Sequence, residues 1–307
     1  MTKYAFALIV VMLAPVLGAR TPQSKPSQAA APSASSYENP PISVQQDVPY
    51  GTVGGQSLLL DIYEPGDHSS GLRSAVILIH GGGWTNFDKG TMRGMGMFLA
   101  RCGFVAFSVD YRLMHGTQNL WPAQLDDVQR AVRWVRANAA KYQIDPNHIG
   151  AFGHSAGAQL AALLGMEDTR DNSDPALAKY SSKVEAVVDV SGPSDFVADR
   201  NSDGDTFLTH FFGGDYAQRP EIWQNASPVF HVSKHDSPFL IIHGDDDKQV
   251  PIAQSQELAD KLKQAGVPVK FVKLEDGHVF RTPEARKRLA LETQAFFTED
   301  LGLGNLQ

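Results

Sequence analysis

A serine flanked by glycines is the first feature of this sequence that suggests chemistry. Residues 148–165 read HIGAFGHSAGAQLAALLG, and residues 153–157 (GHSAG) match the pattern G-x-S-x-G. In that pattern a sharp turn between a strand and a helix exposes the serine hydroxyl. Glycines are needed on both sides because a side chain there would clash with the neighbouring strand and helix. The spacing therefore predicts that Ser155 is a nucleophile.

A serine nucleophile needs a base, and the loop before the last predicted helix offers one. The hydroxyl is hardly ionised at neutral pH, so a histidine must accept its proton and an acid must orient the histidine. In enzymes with this turn the acid follows the serine and the histidine comes last. His278, in LEDGHVF, has that position. The other histidines after Ser155 are His210, His231, His235 and His243.

These four histidines are weaker candidates for the base. His243 ends an apolar strand, which is more typical of a packed and hydrogen-bonded side chain. The other three lie in or after an irregular segment of the chain. We therefore expect His278 to be the base.

The acid is expected after the apolar run PFLIIHG, where DDDKQVP supplies three adjacent carboxylates. Three neighbouring side chains cannot all point at one imidazole. The spacing H-G-x-x-D-x-x-V-P selects Asp247, and leaves Asp245 and Asp246 as solvated or loop-capping residues. Asp247 would accept the imidazole N–H and stabilise the imidazolium.

Glycines in HGGGW (80–84) could donate hydrogen bonds to the oxyanion of a tetrahedral intermediate. Gly82 and Gly83 are the expected donors, together with the N–H of Ala156. An ordinary glycine-rich turn is the alternative for this stretch. His80 is expected to be structural. Trp84 and His154 are weaker candidates for the lining of a substrate pocket.

Strands and helices alternate around these motifs, which predicts a parallel sheet covered by helices on both faces. Buried runs of β-branched and aromatic residues indicate most of the strands. The predicted strands are 57–63, 75–80, 104–111, 148–152, 184–192, 238–244 and 267–274. The predicted helices are 122–142, one from residue 156, 252–265 and 283–299. The segment 199–226 breaks the alternation and is interpreted as an insertion or small cap.

Composition limits the classes of function. The chain has 307 residues, 42% of them hydrophobic, and a formal net charge of −7, which argues against a nucleic-acid partner. No apolar run is long enough for a membrane span. Residues 1–19 have the layout of a secretory signal peptide, with Lys3 before an apolar core. Residues 20–40, rich in Pro, Ser and Ala, resemble a disordered linker. The expected folded domain is 41–300, in a secreted or periplasmic protein.

Residues 199–205 (DRNSDGD) place carboxylates at alternating positions, as in a calcium loop. The EF-hand pattern needs a glutamate at loop position twelve, which His210 occupies here. A solvated polar loop is therefore the preferred interpretation, and no metal is expected. Cys102 is the only cysteine, so it cannot form an intrachain disulfide.

In combination, HGGGW, VDYRL, GHSAGA and HGxxDxxVP resemble the esterase/lipase group of α/β-hydrolases, and most closely bacterial feruloyl and acetyl ester hydrolases (BD-FAE-like). The resemblance covers about residues 45–298. It implies an α/β-hydrolase fold and a Ser155–His278–Asp247 triad that hydrolyses esters through an acyl-enzyme, without a cofactor. The expected substrates are small-molecule or carbohydrate esters. Hormone-sensitive-lipase-like esterases also have HGGGW, but they usually have Asp where this chain has His154.

Two alternative functions stay open at this point. An arylformamidase-like amidase or a peptidase could use the same triad. A catalytically silent binding protein could share the fold, although the complete set of reactive residues argues against it. Oligomeric state and the identity of the ester are not encoded in any motif of the sequence.

Overall fold

A computed structural model describes residues 40–66, 71–168, 173–198 and 206–302. The predicted signal peptide (1–19), nearly all of the predicted linker (20–40) and the calcium-loop candidate (199–205) lie outside these ranges. The proposed division of the chain at residues 19 and 40 therefore stays a prediction.

The centre of the fold is an eight-stranded sheet with the order β1-β2-β4-β3-β5-β6-β7-β8. The strands are β1 Ile42–Val53, β2 Gln56–Pro65, β3 Arg73–Ile79, β4 Val105–Val109, β5 Ile144–His154, β6 Ala186–Val190, β7 Phe239–Gly244 and β8 Val269–Leu274. β1 pairs antiparallel with β2, and β2 pairs antiparallel with β4. Every other pairing is parallel. The carboxyl ends of six strands therefore lie along the same edge.

Helices cover both faces of the sheet. They are α1 Arg93–Arg101, α2 Ala123–Ala137, α3 Ala156–Met166, α4 Thr206–Phe211, α5 Pro220–Ala226, α6 Ile252–Gln264 and α7 Pro283–Asp300. Buried side chains of α2, α3 and α6 share one hydrophobic cluster, and those of α1 and α7 share the other. Alternate residues of β3 enter the two clusters, with Ile77 in the first and Leu78 in the second. The predicted α/β-hydrolase fold is confirmed.

Strand β1 was absent from the sequence prediction. β1 lies at the sheet edge, is mostly exposed and contains Pro49, so it has no continuous apolar run to mark it. The Gly54–Gly55 turn that joins β1 to β2, with both glycines at positive φ, was the available signal. The predicted helix 122–142 was too long, because α2 ends at Ala137. Asn138 follows it and donates its side-chain N–H to the carbonyl of Trp134.

The described part of the predicted insertion forms the two short helices α4 and α5. Phe212, the residue after α4, packs against Trp121 and Trp223. Phe211 stacks on Trp84, with 4.7 Å between ring centroids. The insertion thus packs onto the loop after β3 and behaves as a small cap. Within the described ranges, no helix is both long and apolar enough to cross a membrane.

Candidate active site

Ser155 lies between the end of β5 and the first residue of α3. Its backbone has φ 55° and ψ −122°, a strained conformation for a residue other than glycine. Its N–H donates to the carbonyl of Val190 at 2.8 Å, which fixes the turn to the neighbouring strand. A Cβ at Gly153 would overlap the carbonyl of Gly157, and a Cβ at Gly157 would overlap that of Ile79. Both glycines are therefore required by the packing of this turn.

The structure brings Ser155, His278 and Asp247 together although they are far apart in sequence. His278 Nε2 lies 2.8 Å from Ser155 Oγ, and His278 Nδ1 lies 2.6 Å from Asp247 Oδ2. The imidazole is 7% exposed and the Asp247 side chain is fully buried. Each contact is within hydrogen-bond distance, so one imidazole connects the hydroxyl to the carboxylate. A proton can pass from Ser155 to His278 without movement of the backbone.

Hydrogen bonds keep Asp247 ionised. Burial of the carboxylate opposes its charge. The bond from His278 and the N–H groups of Gln249 (2.8 Å) and Val250 (3.0 Å) outweigh that effect and hold the pKa of Asp247 below its usual value. An ionised Asp247 accepts the Nδ1–H of His278. This leaves Nε2 of the neutral ring free to accept the hydroxyl proton of Ser155.

The loop that carries His278 is closed by Asp276, which sequence reasoning missed. One carboxylate oxygen accepts the N–H of Gly277 at 2.8 Å, and the other accepts the N–H groups of Arg281 and Thr282 at 2.8 and 2.9 Å. These backbone bonds lower the pKa of Asp276 to about 2. The acidic residue two positions before the histidine, with threonine at the start of the next helix, was the available signal.

The glycine loop after β3 lies against the serine turn. A Cβ at Gly81 would be 3.2 Å from the Cβ of Ser155. Gly82 and Gly83 adopt φ of 109° and 57°, and the carbonyl of Gly82 accepts the N–H of Asn86 at 3.1 Å. The N–H groups of Gly82 and Gly83 have no protein acceptor within the ranges that the structure describes. They are available to a substrate oxygen.

His80 anchors the start of this loop. It is 1% exposed, and its Nδ1 lies 2.7 Å from the carbonyl of Gly81. Its ring stacks on Tyr111, whose hydroxyl donates to the His80 carbonyl at 2.9 Å. Burial lowers the pKa of His80, so the ring is neutral. The structural role expected for His80 agrees with these contacts.

Trp84 and His154, the two weaker pocket candidates, both have internal partners. Trp84 is 4% exposed and donates its indole N–H to Gln159 Oε1 at 3.2 Å. His154 Nε2 lies 2.9 Å from the carbonyl of His278. Burial lowers the pKa of His154, so its neutral ring donates this bond and holds the His278 loop beside the serine turn. Contact of either residue with substrate stays a prediction.

The other four histidines that follow Ser155 contact groups other than Ser155 or are exposed to solvent. His210 Nε2 lies 2.6 Å from the carbonyl of Gly116, and His231 pairs with Glu167 at 2.7 Å. His235 is exposed. His243, however, lies 3.1 Å from Asp247 through its Nε2, a contact that sequence reasoning did not predict. Because His243 lies near the end of β7 and Asp247 lies in the loop after it, their spacing alone does not predict the contact.

The two acidic residues that precede Asp247 are not part of the hydrogen-bonded path from Ser155 to Asp247. Asp245 and Asp246 are exposed, as expected, and Asp246 pairs with Lys248. In the described part of the chain, no group of three or more His, Cys, Asp or Glu side chains could hold a metal ion. The groups that the structure brings together are a hydroxyl, an imidazole, a carboxylate and backbone N–H groups, which suits acyl transfer.

A mostly parallel sheet of eight strands, with a serine on a strained strand–helix turn, defines this protein as an α/β-hydrolase. The sequence profile of the BD-FAE family matches residues 60–262. The chain belongs to the BD-FAE family, as the sequence resemblance predicted.

Three proteins similar to this chain are esterases by name. Esterase LipQ of Mycobacterium tuberculosis is 33% identical over 238 residues, which cover 76% of this chain and 56% of LipQ. This chain therefore spans about half the length of LipQ. A truncated carbohydrate esterase from gut microbiota superposes with a TM-score of 0.72 at 30% identity, over 86% of this chain and 98% of that one. Esterase 2 of Thermogutta terrifontis, in a structure phosphorylated by paraoxon, superposes with a TM-score of 0.71 at 26% identity. The match covers 87% of this chain and 97% of that one.

Proposed function

We propose that this protein is a serine carboxylic ester hydrolase. The observation that carries the proposal is the continuous hydrogen-bonded path from Ser155 Oγ through His278 to Asp247. The similarity to LipQ and to an esterase that paraoxon phosphorylates supports the same class of reaction.

In the first half of the proposed reaction, Ser155 Oγ attacks the ester carbonyl carbon. Its proton moves to His278 Nε2, and Asp247 stabilises the resulting imidazolium. The carbonyl oxygen becomes an oxyanion that accepts N–H bonds from Gly82, Gly83 and Ala156. The carbon–oxygen bond to the alcohol then breaks, and His278 returns the proton to the departing alcohol. The acyl group stays on Ser155.

In the second half, water repeats the attack. His278 accepts a proton from the water, and the oxygen of that water bonds to the acyl carbon. The bond to Ser155 Oγ breaks, and the proton passes from His278 to Ser155. The products are a carboxylic acid and a free serine, so the cycle needs no oxidant, reductant or cofactor.

The proposed substrates are esters with a short acyl, aryl or carbohydrate group. Ser155, Gly82 and Gly83 are half-buried and not enclosed, and Phe87 and Phe207 next to the glycines are 65% and 40% exposed, so an acyl group can reach the serine from solvent. The carbohydrate esterase that shares this fold supports sugar esters within that class. Comparing turnover of short alkyl, aryl and acetylated sugar esters identifies the preferred group.

Replacement of Ser155 tests the proposal directly. Ser155→Ala should lower kcat for p-nitrophenyl acetate by on the order of 10⁶-fold, because no other group can form the acyl-enzyme. The variant should retain the circular dichroism spectrum and melting temperature of the parent. Activity within a few-fold of the parent would contradict the assignment. Faster turnover of N-formylkynurenine than of any ester would favour an amidase instead.

We further propose that the protein is exported. The layout of residues 1–19 supports this, and a mature N-terminus near Arg20 is expected. Mass spectrometry of the protein from culture medium and periplasm, after expression of the full chain, measures that terminus. An uncleaved chain retained in the cytoplasm would overturn this proposal while leaving the ester hydrolase untouched.

A further inference from the structure

His243, near the end of β7, is a buried histidine that the proposed reaction does not use. Its side chain is 0% exposed. Nδ1 lies 2.6 Å from the hydroxyl of Ser255 on α6, and Nε2 lies 3.0 Å from the carbonyl of Val250. The same Nε2 lies 3.1 Å from Asp247 Oδ2. The ring therefore bridges α6 and the carboxylate that orients His278.

The partners of His243 determine where its proton lies. Burial lowers the pKa of His243, so the ring is neutral and carries one N–H. The carbonyl of Val250 and the ionised carboxylate of Asp247 can only accept hydrogen bonds. Nε2 must therefore carry the proton and donate. Nδ1 is then an acceptor, and the hydroxyl of Ser255 donates to it.

His243 completes the set of donors around Asp247. One oxygen of the carboxylate accepts the N–H groups of Gln249 and Val250. The other accepts Nδ1–H of His278 at 2.6 Å and lies 3.1 Å from Nε2 of His243, whose single N–H it shares with the carbonyl of Val250. A carboxylate offers about four acceptor positions, so the four donors occupy them all. Within the described residues, His278 and His243 are the two side chains that donate to it.

We propose that His243 is a positioning residue for ester hydrolysis, which fixes the rotation of the Asp247 carboxylate so that Oδ2 faces His278. This inference rests on the proposed function. His243 acts through Asp247, since it lies against the same Oδ2 that accepts from His278. Loss of its N–H therefore disturbs proton transfer and leaves substrate binding intact.

The donated hydrogen bond, and not the shape of the ring, carries this role. Without His243 Nε2–H, the buried Oδ2 retains one donor, and the carboxylate can turn about its Cβ–Cγ bond to share His278 between both oxygens. A hydrogen bond to a charged group in a buried site is among the stronger ones. We expect its loss to reduce kcat by about tenfold or more, with KM within about twofold of the parent.

A matched pair of variants separates the hydrogen bond from packing. His243→Leu fills the site without a donor, whereas His243→Gln places an amide N–H near the position of Nε2. The expected result is a lower kcat for p-nitrophenyl acetate in His243→Leu, an unchanged KM, and recovery of most of kcat in His243→Gln. The proton resonance of the His278–Asp247 hydrogen bond should shift or broaden in the Leu variant only.

A third variant covers the case in which His243→Leu does not fold. Ser255→Ala keeps the ring but removes the donor that holds Nδ1 as an acceptor, so the proton can move away from Asp247. Its kcat should fall and its KM should not. Unchanged kcat in Ser255→Ala and in any folded Leu variant would overturn the inference. Equal losses in the Leu and Gln variants would also overturn it. An inactive parent enzyme would instead reject the proposed function.

Discussion

At the scale of single residues, the reactivity proposed for Ser155 comes from its surroundings. The residue adopts φ 55°, and Gly153 and Gly157 leave room for the strand and helix to approach on either side. The hydroxyl consequently stands between His278 and the glycine loop rather than within the core. Strain of this kind persists where the surrounding structure determines it, and it is common at functional sites.

Gly82 offers a direct test of the proposed oxyanion donors. At φ 109°, an alanine would be strained, and its Cβ would overlap the carbonyl of Asn86. Gly82→Ala should displace the loop and lower kcat by about 10²-fold, comparable with the loss of one donor. Gly55→Ala is the matched control, because Gly55 has φ 81° with nothing within 4 Å and lies in the β1–β2 turn. Similar kcat values for the two variants would contradict the role.

The three residues that we propose to react were easier to select from the sequence than the residues that hold them. Ser155, Asp247 and His278 were selected because each follows a predicted strand at the position that its motif or loop indicates. Asp276 and His243 were not, since their partners are backbone N–H groups and a carboxylate that only the folded chain brings near. The motif H-G-x-x-D contains His243, but nothing in its spacing distinguishes a packed ring from a hydrogen-bond donor.

At the scale of elements, the β8–α7 loop must hold His278 in register with the serine turn. Asp276 closes this loop by accepting three backbone N–H groups. Thr282 then caps α7, with its side chain accepting from Ala285 at 3.2 Å. The position of His278 is thus fixed by these bonds within its own loop, together with the bond from His154 to its carbonyl.

Loss of the hydrogen bonds to Asp276 should lower kcat strongly and the melting temperature only slightly. Asp276→Ala should reduce kcat by about tenfold or more, because the freed loop presents His278 in several orientations, while the melting temperature falls by a few degrees. Asp145→Ala is the control, since Asp145 caps a similar turn at the opposite end of β5, accepting from Asn147 at 2.9 Å. Steady-state kinetics and thermal unfolding measure both. A kcat loss equal to that of the control would contradict the role of Asp276.

Strand β6 contains a buried carboxyl group that makes stability depend on pH. Asp189 is 1% exposed, and burial raises its pKa to about 7, with the N–H of Gly192 at 3.0 Å as a donor. Because its folded pKa lies above its unfolded value, its contribution is full below about pH 4 and is lost as pH rises through about 7.

Asp189→Asn should remove that dependence. The free energy of unfolding of the parent should fall by up to roughly 4 kcal/mol between pH 4 and 8 relative to the variant, since each pKa unit corresponds to about 1.4 kcal/mol. Urea unfolding at several pH values measures the difference. Parallel pH profiles for parent and variant would show that Asp189 does not titrate in this range.

At the scale of the whole molecule, one edge of the sheet collects the reactive groups. The serine turn, the Asp247 loop and the His278 loop follow the carboxyl ends of the parallel strands β5, β7 and β8, with β6 between β5 and β7. The alternation of strands and helices allowed the sequence to predict this arrangement. The polar edge strand β1 was not predicted. Its residues are mostly exposed or half-buried, so they form no apolar run that would indicate a strand.

The central claim is that Ser155 is the nucleophile. Identifying which residue of the whole chain a covalent label modifies tests it most directly. A fluorophosphonate probe reacts with activated serines, and this chain has many serines to choose from, including the buried Ser191 and Ser194. After labelling of the folded protein and digestion, mass spectrometry should find the modification on Ser155, and His278→Ala should abolish it. A label on another serine, or none on the folded protein, would contradict the proposed nucleophile.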